Sequence, residues 1–73
     1  MSQEAARILL GVRGMTTAES RTRVHEALRG LPGVHGVEAG DTEQVEVRYD
    51  PTEATVMDMI RALRHLGFLA GME

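Results

Sequence analysis

The spacing of apolar residues along this chain switches repeatedly between the period of a strand and that of a helix. Residues 8–12 (Ile-Leu-Leu-Gly-Val) place apolar side chains at every second position, which predicts a half-buried strand. Residues 24–31 place them three and four positions apart, which predicts an amphipathic helix. Few arrangements can accommodate several such switches within 73 residues.

Capping and turn residues predict where the first helix begins and ends. Thr16 stands three positions before Glu19, the spacing of a capping box in which each side chain bonds the backbone of the other. Gly30 and the Leu-Pro-Gly turn over residues 31–33 end the helix. The first half of the chain therefore reads as a strand followed by a capped helix.

The second half of the chain contains two further strands, a second helix and a last strand. Thr55 and Asp58 form a second predicted capping pair, in which the carboxylate also suits the positive end of the helix dipole. The predicted elements are strands over 34–39 and 44–49, a hairpin loop over 40–43, a helix that ends at Gly67, and a strand over 68–72.

The resulting order is strand, helix, strand, strand, helix, strand. With right-handed crossovers, this order gives an antiparallel four-stranded sheet with both helices on one face. The sequence thus predicts an α+β, ferredoxin-like βαββαβ sandwich, formed by residues 1–73 as a single domain.

Composition excludes several classes of function. The net charge of −3 and the presence of only two aromatic residues, Tyr49 and Phe68, argue against nucleic-acid binding. No apolar stretch approaches the ~20 residues of a membrane span, and the first residues (MSQEAAR) lack a signal-peptide pattern. No catalytic constellation is visible either. We therefore expect a cytoplasmic protein that is not an enzyme and has no membrane partner.

Several motifs with consistent spacing resemble one known family, the heavy-metal-associated domains found in small copper chaperones and at the N-termini of metal-transporting ATPases. This resemblance implies the ferredoxin-like fold and an ancestral role in binding and handing over copper or a similar metal. The motifs are Gly14-Met15-Thr16, Val24 with Ala27-Leu28, Leu31-Pro32-Gly33-Val34, the run Val-Glu-Val-Arg-Tyr-Asp-Pro over 45–51, and Gly67-Phe68.

The departure from the family falls on its functional motif. Thr17 and Ser20 occupy the two positions where the family has its cysteine ligands, and the chain contains no cysteine at all. The family would bind Cu(I) or Zn(II) there through soft, anionic thiolates, which neutral hydroxyls cannot replace. We therefore expect no bound cofactor and no copper transfer by the family's route.

Three interpretations of residues 14–20 remain. The favoured one is that Thr17 and Ser20 are helix-start residues with no further role. The second is an anion site, in which the free amides of the helix start act with both hydroxyls and with Arg13 and Arg21. The third is a relocated metal site, for which the candidate ligands are His25, His35 and His65.

The function predicted from the resemblance is protein docking or regulation, through the surface by which the family meets its partners. The partner would be a metal-transport ATPase or another heavy-metal-associated-like domain. The alternative is a copper- or zinc-binding or transport protein that uses ligands other than cysteine, or ligands supplied by a partner. The predicted partner surface consists of Met15, Thr16, Thr17, Ser20, Arg21 and Phe68.

Two leucines suggest a weak homodimer. Alternation places Leu9 on the sheet face that no helix covers, and in this topology the first and last strands are neighbours. Leu69 is therefore expected beside Leu9. Together they would form a small exposed apolar patch suited to a second copy of the chain.

Overall fold

The structure, a computed structural model, describes residues 5–40 and 42–72. The predicted hairpin loop over Gly40–Glu43 therefore includes one position, Asp41, that lies outside the described residues. Residues 1–4 of the predicted domain also lie outside them. The elements are β1 (Ala6–Arg13), α1 (Ala18–Arg29), β2 (Val34–Ala39), β3 (Gln44–Tyr49), α2 (Val56–His65) and β4 (Leu69–Met72).

The four strands form one antiparallel sheet in the spatial order β2-β3-β1-β4. The first and last strands are neighbours, as the topology requires. The predicted ferredoxin-like fold is confirmed. The predicted bounds of β2 and β3 agree with the structure, and β4 begins one residue later than predicted, because Phe68 still belongs to the turn that ends α2.

One face of the sheet packs against both helices and forms the core. Residues at every second position of the two central strands point to this face, as their alternation predicts. Burial of these side chains supplies the main favourable term in folding, at about 25 cal/mol for each Å² removed from water. The fully buried members of the core are Leu10 and Val12 of β1, Val45 and Val47 of β3, Val24 and Leu28 of α1, Met59 and Leu63 of α2, and Met15 between β1 and α1.

The opposite face of the sheet is not covered by a helix. Leu9 and Leu69 both lie on this face, but the strand register places them apart. Leu9 and Leu69 are 43% and 63% exposed, as expected. However, Leu9 pairs with Glu46 on β3, whereas Leu69 pairs with Arg13 on β1. Leu69 therefore lies beside Arg13, four positions along β1 from Leu9. At about 3.3 Å per residue, this offset is about 13 Å. The prediction that they lie side by side is wrong, and the dimer predicted from them loses its shared patch.

The second helix begins as predicted, whereas the first begins one residue later than predicted. Asp58 N–H donates to Thr55 Oγ1 (3.1 Å) and Thr55 N–H donates to Asp58 Oδ2 (3.3 Å), which confirms the second capping box. The first helix is capped by Thr17 rather than Thr16, so the predicted box of Thr16 with Glu19 is wrong. Neither helix in the described residues is long and apolar enough to cross a bilayer.

Candidate functional site

The loop from Gly14 to Thr17 connects β1 to α1. It ends at Thr17, which with Ser20 forms the candidate site. Gly14 has φ +100°, a conformation that side-chain-bearing residues rarely adopt. A Cβ atom built on Gly14 would lie 3.4 Å from a ring carbon of Phe68, so the backbone passes directly over that ring. Met15 is fully buried and anchors the loop in the core.

Thr17 and Ser20 form a reciprocal capping box at the start of α1. Ser20 N–H donates to Thr17 Oγ1 (3.0 Å), and Thr17 N–H donates to Ser20 Oγ (2.9 Å). The Ser20 hydroxyl also lies within hydrogen-bond distance of Thr17 O (2.8 Å). Both hydroxyls are thus used by the helix start, as the favoured interpretation predicts, although the capping partners are not those expected.

The two side chains also converge on each other. Thr17 Oγ1 and Ser20 Oγ lie 3.0 Å apart. Two thiolates bound to one zinc ion stand at about 2.3 Å from the metal, and so at no more than roughly 4.6 Å from each other. Residues 17 and 20 therefore direct their side-chain oxygens to a common point, at a separation within the range of two ligands of one ion.

The hydrogen bonds at the helix start do not favour the anion-site interpretation. The backbone amides of Thr17 and Ser20, which an anion would need, are already donating to side-chain oxygens. Glu19 adds an exposed negative charge in the first turn. A second carboxylate, that of Glu43, lies at the loop itself. These charges oppose an anion at this position.

Glu43 is the residue of this site that sequence reasoning missed. Its carbonyl oxygen accepts from Val12 N–H (2.8 Å), and its carboxylate accepts from Gly14 N–H (2.8 Å). The side-chain contact joins residues 29 positions apart in sequence. No local spacing signals such a contact. It could have been found only by aligning the strands in their register.

The three histidines lie on three different elements. His25 lies half-buried on α1, whereas His35 on β2 and His65 at the end of α2 are exposed. Within residues 5–40 and 42–72, no group of three or more His, Asp and Glu side chains is placed to hold a metal ion. Zinc sites built from protein side chains use three or four such ligands. The relocated-site interpretation therefore has no ligand set in this part of the chain.

The carboxylate of Asp50 is held by Thr52 in the turn after β3. Hydrogen bonds from the Thr52 hydroxyl (2.7 Å) and the Thr52 backbone N–H (2.9 Å) are the main causes that lower the pKa of Asp50. Partial desolvation raises this pKa slightly, and the charge of His35 lowers it further. This small cluster stabilises the turn between β3 and α2.

The predicted partner surface is only partly exposed. Thr16 and Thr17 are exposed, and Ser20 and Arg21 are half-buried. Met15 is fully buried and Phe68 is only 8% exposed, so neither can offer a partner more than its backbone or a ring edge. The accessible part of the predicted surface is therefore formed by the other four residues, because apolar side chains in a chain this small are needed in the core.

A family model and a curated relative match this chain. The model described as "Heavy-metal-associated domain" matches residues 9–68. The copper-exporting P-type ATPase of Staphylococcus aureus (strain Newman) is 31% identical over 64 residues, which make up 88% of this chain. The chain spans only 8% of the length of that relative.

Solved structures share the fold over most of their length. Oxidized MerP from Ralstonia metallidurans CH34 gives a TM-score of 0.90 at 24% identity and covers 94% of this chain and 97% of its own, which shows the fold alone. The N-terminal domain of a potential copper-translocating P-type ATPase from Bacillus subtilis, in its Cu(I)-loaded state, gives a TM-score of 0.88 at 29% identity. The match covers 93% of this chain and 86% of that domain. A CopZ metallochaperone gives 0.86 at 27% identity, with coverages of 90% and 100%.

Proposed function

The chain belongs to the heavy-metal-associated domain family, and from that premise we propose that it is a protein docking or regulatory module that has lost the family's cysteine metal site. The observation that carries this proposal is the reciprocal capping box of Thr17 and Ser20. At the two positions where the family places its ligands, this chain has hydroxyls that are engaged by the backbone of its own helix.

The chemistry of these hydroxyls supports the loss of metal binding. Cu(I) and Zn(II) sites of this type depend on thiolates, whereas a Ser or Thr hydroxyl is hard, neutral and rarely deprotonated at neutral pH. Binding a metal between Thr17 and Ser20 would also break the hydrogen bonds that start α1. The proposed function therefore includes no metal cofactor and no catalysis.

The proposed docking surface, called here the loop surface, consists of Thr16, Thr17, Ser20 and Arg21. These residues are accessible in whole or in part. Thr16 and Thr17 lie in the loop before α1, Ser20 and Arg21 lie at the start of α1, and the backbone here is held by the core and by hydrogen bonds. A surface that is already ordered loses little conformational entropy on binding. The similarity to a segment of a copper-exporting ATPase supports a metal-transport ATPase or another heavy-metal-associated domain as the partner. The proposed place of this encounter is the cytoplasm, as expected from the sequence.

The experiment that tests metal binding is a titration followed by amide NMR. The ¹⁵N-labelled chain is titrated with Cu(I) and then Zn(II) against a competing chelator. We expect no binding tighter than about 10 μM, a free energy close to −7 kcal/mol. Saturable tight binding at one locus would favour the alternative, a copper- or zinc-binding protein with ligands other than cysteine. The shifted amides would then identify those ligands.

The docking part is tested with a defined probe. The probe is the 64-residue segment of the S. aureus copper-exporting ATPase that matches this chain. We expect amide shifts confined to the loop surface, weakened binding for R21A, and unchanged binding for R29A, a charge-matched change at the other end of the same helix. Shifts located elsewhere would contradict the loop surface. No shift with this segment or with an unlabelled second copy would contradict docking within the family.

A further inference from the structure

Glu43, in the hairpin between β2 and β3, forms hydrogen bonds to the end of β1 and to the loop from Gly14 to Thr17. Its backbone extends the β1–β3 ladder by one step beyond the last paired residues, Gly11 and Gln44, because its carbonyl accepts from Val12 N–H (2.8 Å). Its carboxylate then reaches the point where the chain leaves the sheet and accepts from Gly14 N–H (2.8 Å).

The bond to Gly14 acts at the least constrained part of the loop. Gly14 has no side chain, and its φ of +100° is not set by any repeating structure. The next residue, Met15, is held by the core, and Thr17 is held by Ser20. Two described side chains from outside the loop bond its backbone: Ser20 of α1 at Thr17, and Glu43, from the β2–β3 hairpin, at Gly14. A hydrogen bond donated to a charged acceptor is also shorter and stronger than one between neutral groups.

We propose that Glu43 is a positioning residue for the loop surface. Through the Gly14 amide it sets the path of the backbone from Gly14 to Thr17, and hence the direction in which Thr16 and Thr17 face a partner. Glu43 acts through this loop and need not touch the partner. The inference depends on the proposed function for its biological meaning, but the geometry it asserts can be tested on the chain alone.

The decisive experiment compares E43A with a charge-matched control. Glu46 lies three residues along, on the uncovered face of the sheet, where Arg7 Nε is 3.7 Å from its carboxylate, so E46A removes the same charge without touching the loop. In E43A we expect the Gly14 amide to exchange with solvent roughly tenfold faster, together with amide shifts at Thr16 and Thr17. E43Q keeps an oxygen that can accept and should restore much of the parent behaviour. E46A should leave all three amides unchanged.

Two outcomes would overturn the proposal. One is that E43A and E46A affect the Gly14, Thr16 and Thr17 amides equally. The other is that E43A lowers the melting temperature but leaves the native-state shifts of these amides in place, which is the behaviour of a merely stabilising contact. Binding of the ATPase segment is measured separately. If the parent chain does not bind it, the proposed function fails, whereas the amide measurements still decide the role of Glu43.

Discussion

Thr17 and Ser20 cap the first helix for each other, with their hydroxyl oxygens 3.0 Å apart and each accepting a hydrogen bond from the backbone of the other. These are the two positions at which the heavy-metal-associated family, by resemblance, binds its metal. The two hydroxyls thus stand where the family has its metal ligands, and in this chain they act as capping atoms. At these positions the side chains now contribute to the stability of the helix start.

Removing the cap should destabilise the fold. We expect T17A to lower the free energy of unfolding by about 1 kcal/mol, because the Ser20 N–H at the helix start loses its acceptor. T17S keeps the oxygen and should restore most of the loss. T22A is the matched control in the same helix, since Thr22 lies in its interior and bonds only Ala18 O, so it should be neutral or slightly stabilising. Urea unfolding measures all three, and equal losses for T17A and T22A would contradict the capping role.

Restoring the family's ligands should restore metal binding. The double variant T17C/S20C places two thiols where the hydroxyls converge, so we expect it to bind Cu(I) more tightly than about 1 μM in competition with a chelator. Its apo form should be less stable than the parent because the cap is lost. T17C alone serves as the control, with one thiol and weak binding. Failure of the double variant to bind would show that the loop no longer supports a site.

The left-handed backbone at Gly14 should make this position intolerant of a side chain. G14A should cost about 1–2 kcal/mol, because a residue with a Cβ is strained at φ +100°. Gly71 is a suitable control, since a Cβ added there meets nothing within 4 Å and its φ is not positive. G71A should change stability by less than about 0.5 kcal/mol. Chemical denaturation of both variants tests this difference, and a silent G14A would contradict it.

The turn after β3 should show a defined pH dependence. The pKa of Asp50 is lowered from its usual 3.8, first by the Thr52 hydroxyl and next by the Thr52 N–H. Because the folded pKa lies below the unfolded one, this contribution to stability is complete above about pH 4, the unfolded pKa, and is lost as the pH falls through the folded value. T52V keeps the N–H but removes the hydroxyl, so it should raise the pKa of Asp50. A carboxyl NMR titration checks this, with T42V as a control that should leave the pKa unchanged.

Local patterns were sufficient for most of the secondary structure. Alternation placed β2 and β3 correctly, and the Thr55–Asp58 pair located the start of α2, because capping is a contact between residues three apart. The start of α1 was missed by one residue. Thr16 and Thr17 are adjacent and both can cap, so the local pattern does not choose between them; in the structure Thr17 is the cap, with Ser20 as its partner.

Sequence alone determined the order of the elements, the apolar face of each one, the family, and the absence of thiolate ligands, because each of these depends on residue identity or on short spacings. Only the tertiary structure decided the long-range contacts. The register of β1 against β4 separates Leu9 from Leu69, and the register of β1 against β3 brings Glu43 to Gly14 across 29 positions. Register is set by the packing of whole strands against the core, and a local pattern does not contain that information.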